Sequence, residues 1–141
     1  MVIVDANVLL YAVDRDSAHH EASRAWLDGS LAGTEAIAFA WVALLAFIRL
    51  GTNRSIFASP MTVDEATEQV EAWLAAPAAV AVHPTPRHAA LLRGLLRDAG
   101  TAGNLTSDAH LATLALEHGA DIVSFDRDFA RFPGVRHRLP G

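Results

Sequence analysis

Short apolar runs alternate along this chain with longer stretches of helical periodicity. Val2-Ile3-Val4 is a β-branched run that stops at Asp5, which predicts a buried strand. The apolar stretch from Val8 to Val13 predicts a short helix. Asp16 or Ser17 is placed to cap the next helix, with Ala22, Ala25, Trp26 and Leu27 on its inner side. Ala36 to Phe39 predicts a second strand, and Trp41 to Leu50 a strongly apolar helix that ends near Gly51. Thr62 and Glu65 have the spacing of a capping box, so a helix starts there and stops at Pro77. Val80 to Val82 predicts a third strand. Thr85-Pro86 predicts a helix start with the proline in its first turn. That helix carries Leu91, Leu92, Leu95 and Leu96 and is closed by Gly100. After the loop 101–106, a helix runs from Ser107 to His118 and terminates at Gly119. Ile122-Val123-Ser124 predicts a fourth strand, and a short last strand is expected near Val135.

Strands alternating with helices imply right-handed crossovers, so the expected fold is α/β: a mostly parallel sheet of four to five strands covered on both faces. Ligands of such sheets sit beyond the carboxyl ends of the strands. Asp5 and Asp126 fall just past predicted strands, and Asp108 falls at the start of a predicted helix. Acids far apart in sequence are thereby candidates for one place in space.

Composition narrows the chemistry. The chain has 141 residues, of which 52% are hydrophobic, enough for one ordered domain over 1–141 with a proper core. It contains no cysteine, which removes disulfides, thiolate metal sites and cysteine nucleophiles. All 11 basic residues are arginines, so mechanisms that need a phosphate-loop or Schiff-base lysine are excluded. The net charge of −5 argues against a general electrostatic grip on nucleic acid, leaving a local patch assisted by a metal. No stretch approaches the roughly 18 apolar residues of a membrane span. The first residues lack the basic region of a secretory signal, and a cytoplasmic protein is expected.

Clustered carboxylates raise one another's pKa unless a cation neutralises them. Magnesium or manganese suits all-oxygen ligands, activates water and stabilises charge on a phosphodiester. Taken singly, Asp5 and Asp108 read as helix caps and Asp126 as the start of a turn. Their shared edge and sequence context carry the stronger reading.

That context resembles the PIN-domain nucleases, in particular the VapC-type toxins of bacterial toxin–antitoxin pairs. Val2-Ile3-Val4-Asp5-Ala6-Asn7-Val8-Leu9-Leu10-Tyr11 is similar to the family's first motif. Gly103-Asn104-Leu105-Thr106-Ser107-Asp108-Ala109-His110-Leu111-Ala112 resembles the segment bearing its third acid, and the run His118 to Phe129, through Ser124-Phe125-Asp126-Arg127-Asp128, resembles the fourth. The resemblance implies a PIN-like three-layer α/β/α sandwich and a magnesium- or manganese-dependent endoribonuclease acting on structured RNA of the transfer or ribosomal class. It further implies a homodimer and neutralisation by a cognate VapB-type antitoxin. Asp5, Asp108 and Asp126 become catalytic metal ligands. Asn7, Asn104 and Ser124 match supporting polar positions, and Asp128 matches an outer contact or a turn residue.

One position departs from the family. A glutamate is usual in the helix after the second strand. Here that helix reads Trp41 to Leu50 without an acid, and the missing residue falls near Ala46. Metal affinity should fall accordingly, and a two-metal site becomes doubtful. Either three aspartates suffice, with an acid such as Glu21 assisting, or the site is weakened and the protein only binds antitoxin or RNA.

Arg49 and Arg54 are candidate phosphate contacts, with surface solvation as the default. His19, His20, His110 and His118 lack a zinc-binding spacing and read as surface or structural. Trp26, Trp41 and Trp73 read as core or interface residues rather than base-stacking platforms. The stretch Phe39 to Ile48 suits a subunit interface or a core helix equally. A phosphatase using Asp5 as nucleophile would want a second aspartate at position 7, which is Asn7, and a lysine, which is absent.

Overall fold

The computed structural model describes residues 1–141. Strand β1 (Val2–Val4) is followed by α1 (Ala6–Val13), α2 (His20–Leu31), β2 (Ile37–Ala40), α3 (Trp41–Gly51) and α4 (Val63–Ala75). Then come β3 (Ala79–Val82), α5 (His88–Ala99), α6 (Thr106–His118), β4 (Asp121–Val123) and β5 (His137–Arg138). Short 3-10 turns at Gly103–Leu105 and Arg127–Arg131 precede α6 and follow β4.

The strands form one sheet in the order β3-β2-β1-β4-β5. Every neighbouring pair is parallel, so the sheet expected to be mostly parallel is wholly so. Alternation along the strands divides the interior in two. Val2, Val4, Ile37, Phe39 and Val123 pack with α1, α2, α3 and α4 on one face, around Phe47, Val70 and Trp73. Ile3, Ala38, Ala40 and Ile122 pack with α5, α6, Phe129 and Phe132 on the other. This is the three-layer α/β/α sandwich. The central β1 is buried on both faces, which explains its unbroken β-branched run.

The capping box forms as expected: Thr62 Oγ1 accepts from the Glu65 amide and Glu65 Oε1 accepts from the Thr62 amide, both at 3.1 Å. Gly100 and Gly119 close α5 and α6 with φ of 73° and 63°. Two helix starts differ from expectation. Asp16 and Ser17 do not cap α2, which begins at His20; Ser17 instead braces the turn before it, its Oγ accepting from the His19 amide at 3.1 Å. The buried side of α2 is therefore His20, Ser23 and Leu27, while Ala22 and Ala25 face outward. Pro86 lies before α5 rather than in its first turn. Thr85 there binds Glu117 of α6, whose carboxylate also takes His88 Nδ1 at 2.7 Å. His88 Nε2 pairs in turn with His110 Nδ1 at 2.8 Å, so His110 faces α5. The last strand falls at His137–Arg138, just beyond Val135.

Candidate active site

The sheet grows from β1 toward β3 in one direction and toward β5 in the other. The chain therefore leaves a crevice between the carboxyl ends of β1 and β4, where ligands of open parallel sheets bind. Asp5 follows β1 directly, and Ser124 and Asp126 follow β4.

Asp5 has extended backbone and caps α1, its Oδ1 accepting from the Ala6 amide at 2.7 Å. Its other oxygen, Oδ2, accepts from Ser124 Oγ at 2.7 Å and from Asn7 Nδ2 at 3.3 Å. Asp5 thus caps α1 through one oxygen and is tied to the end of β4 through the other. Ser124 is fully buried, and its Oγ also accepts from Asn7 Nδ2 at 3.0 Å and from the Asp126 amide at 2.9 Å. Asn7 Oδ1 completes the frame by accepting from the Phe125 amide at 3.3 Å. Two strand ends are thereby tied through side chains. Asp126 Oδ1 accepts from the Asp128 amide at 2.8 Å, opening the 3-10 turn, and the Asp128 side chain is exposed.

Asp108 stands in the first turn of α6, half-buried. With Asp5 it lines a cavity of about 210 Å³ between α3 and α6. Ala43, Ala46 and Arg49 of α3 line the same cavity, so a carboxylate at position 46 would face Asp5 and Asp108. Phe47, by contrast, is buried in the core against Trp73. The usual helix acid is thus absent from a position whose side chain does look into the cavity. Glu21 is exposed on α2, outside it.

The electrostatics follow from this crowding. Burial, and then the charges of Asp5, Asp126 and Asp128, push Asp108 up to about 6. Burial also raises Asp5; the hydrogen bonds from Ser124 and Ala6 oppose it, and Asp126 adds to it. No arginine forms an ion pair with Asp5, Asp108 or Asp126. A cluster of uncompensated oxygen donors fits a hard divalent cation in kind and in charge. No three acidic or histidine side chains already converge as a finished metal cage.

Asn104 is exposed on the 3-10 turn before α6, and Arg54 is exposed in the turn after α3; neither lines the cavity. Sequence reasoning missed His137. Its Nε2 lies 2.8 Å from the Ser124 carbonyl, and its positive form favours ionised Asp5. It sits on a strand of two residues, too short to leave a periodic signal.

A wholly parallel sheet with acids gathered at its switch point defines a class, and the comparisons agree on which. Residues 2–135 match the PIN domain family, and the chain belongs to it. Among its relatives is Ribonuclease VapC37 of Mycobacterium tuberculosis (strain ATCC 25618 / H37Rv), 56% identical over 140 residues that cover 99% of this chain and 97% of that protein. Ribonuclease VapC31 of the same strain is 44% identical, covering 99% of both chains. The fold matches the VapBC2 complex of Rickettsia felis bound to a DNA fragment from their promoter, with a TM-score of 0.71 at 19% identity, covering 99% of this chain and 98% of that one. It also matches VapC20 of Mycobacterium tuberculosis, a sarcin–ricin loop cleaving toxin, with a TM-score of 0.69 at 16% identity, covering 96% and 99%. No helix is long and apolar enough to cross a membrane.

Proposed function

We propose that this chain is a metal-dependent endoribonuclease toxin that cuts structured RNA of the transfer or ribosomal class. A cognate VapB-type antitoxin holds it in check. The observation that supports the reading is that Asp5 and Asp108 line one cavity with the charge of Asp126 acting on both and no arginine paired to any of them, in a chain 56% identical to a ribonuclease.

In this mechanism Asp5, Asp108 and Asp126 would hold magnesium or manganese. When bound, the cation supplies an activated water and neutralises charge on the phosphodiester. Ser124 and Asn7 hold Asp5 in place through the bonds described above, and Ser124 fixes the Asp126 backbone. Asp128 adds negative charge at the rim. Arg49, free of any acid and lining the cavity, takes a non-bridging phosphate oxygen of the substrate. Arg54 contacts the RNA farther out. Trp41 and Leu45, 44% and 57% exposed on α3, suit the face of a homodimer.

A second reading, a relative that only binds antitoxin or RNA, is favoured by one observation: α3 brings Ala46 instead of an acid to the cavity. Growth separates the two. Expression of the chain alone is expected to arrest a bacterial host, co-expression of its cognate antitoxin to relieve the arrest, and Asp5→Asn to cause none. Arrest that persists unchanged in Asp5→Asn would contradict the nuclease reading.

A further inference from the structure

Phe125 lies in the chain between Ser124 and Asp126, half-buried against the core. His19 stacks on its ring, with centroids 4.3 Å apart and planes 30° apart. Tyr11 meets the same ring edge-on at 5.4 Å and 62°, and lies 5.3 Å from His19. Tyr11 stands one helical turn beyond Asn7, the residue that accepts from the Phe125 amide. The three rings are therefore built onto the same frame that holds Asp5 and Asp126.

His19 is exposed, although its position is fixed from both sides. Its amide donates to Ser17 Oγ at 3.1 Å, and the ring of the next residue, His20, bonds the Tyr11 carbonyl at 2.8 Å. The His19 side chain makes no bond that caps α2. An ordered, flat, exposed ring loses little conformational freedom when a second flat ring stacks on it.

We propose that Tyr11, His19 and Phe125 form a stacking subsite for an unpaired RNA base beside the phosphodiester held at the acids. The proposal rests on the ribonuclease reading above. In a chain of net charge −5, stacking adds binding energy that does not depend on charge. It also selects nucleotides that are already splayed out of a helix, as in loops of structured RNA.

The test uses fluorescence anisotropy with a labelled RNA hairpin carrying an open loop, in calcium in place of magnesium, with gels to verify that the RNA stays intact. A companion series makes one loop nucleotide at a time abasic. The wild-type protein is expected to bind about tenfold more weakly when one particular nucleotide lacks its base. His19→Ala is expected to bind the intact hairpin about tenfold more weakly and to lose that abasic penalty. His19→Phe should keep both the affinity and the penalty, and thermal melts should show each variant folded. Wild-type binding that is insensitive to every abasic position, or a penalty undiminished in His19→Ala, overturns the subsite and leaves the nuclease reading standing. Absence of any RNA binding by the wild type overturns both.

Discussion

Ser124→Ala is the sharpest perturbation of the frame around the acids. The Ser124 hydroxyl is fully buried and serves three partners: it donates to Asp5 Oδ2 at 2.7 Å and accepts from Asn7 Nδ2 and the Asp126 amide. A hydrogen bond to a carboxylate contributes about 1.5–3 kcal/mol, and a stranded amide costs about 1 kcal/mol or more. Asp5 and Asn7 keep their mutual bond, which limits the damage. The expected loss is about 3 kcal/mol, and at roughly 4 °C per kcal/mol for a chain of this size the midpoint falls by about 12 °C. Function should fall as well, because the serine orients Asp5 and the Asp126 backbone. Loss of such a supporting partner costs roughly 10- to 100-fold in metal affinity or activity. The serine's bond also opposes the upward push that burial gives Asp5, so the acidic limb of the pH–rate profile should move to higher pH. Thermal denaturation and cleavage assays across magnesium concentration measure all three effects, and excess metal should restore part of the rate. A variant that melts with the wild type and cleaves at the wild-type rate would refute the frame.

Four other outcomes follow from the structure. Asp108 is raised from 3.8 to about 6, so its ionised form is the one the fold disfavours. The metal-free protein therefore loses stability as pH rises from about 4 through about 6, and the melting difference between Asp108→Asn and wild type should shift toward the variant across that window; a constant difference would count against the crowding. Magnesium should move the pH midpoint of cleavage downward, since the cation and the proton compete for the same carboxylate. Ala46→Glu points a carboxylate into the cavity beside Asp5 and Asp108, and calorimetry should show tighter metal binding together with a lower metal-free melting temperature. Thr62→Ala removes one half of the capping box and should cost about 1 kcal/mol in a urea titration while cleavage stays unchanged.

The parts of this molecule that sequence reveals are those governed by local pattern. The β-branched Val2–Val4 ending at Asp5, the capping box at Thr62 and the terminal Gly119 each depend on neighbours within a few positions. Asp5 and Asp126 are legible for the same reason, because a strand end fixes the edge on which an acid must lie. The contacts that make the site are of a different kind. Ser124 and Asn7 are separated by 117 positions, and only the pairing of β1 with β4 joins them. His19 meets Phe125 through a loop with no periodicity to read. The start of α5 lies beyond Pro86 because Glu117, a residue of another helix, binds Thr85 and sets the turn there. Ala46 shows both sides. Its lack of a carboxylate is plain in the sequence, while its view of Asp5 and Asp108 depends on how α3 packs.

The central claim is that three aspartates without a helix acid are enough for metal-dependent RNA cleavage. The direct measurement incubates purified, antitoxin-free protein with total bacterial RNA in magnesium or manganese, alongside EDTA and Asp5→Asn controls. Discrete fragments that vanish in both controls are the predicted result. Intact RNA in either metal, from protein shown to be folded and free of inhibitor, would contradict the claim and identify a protein that binds without cutting.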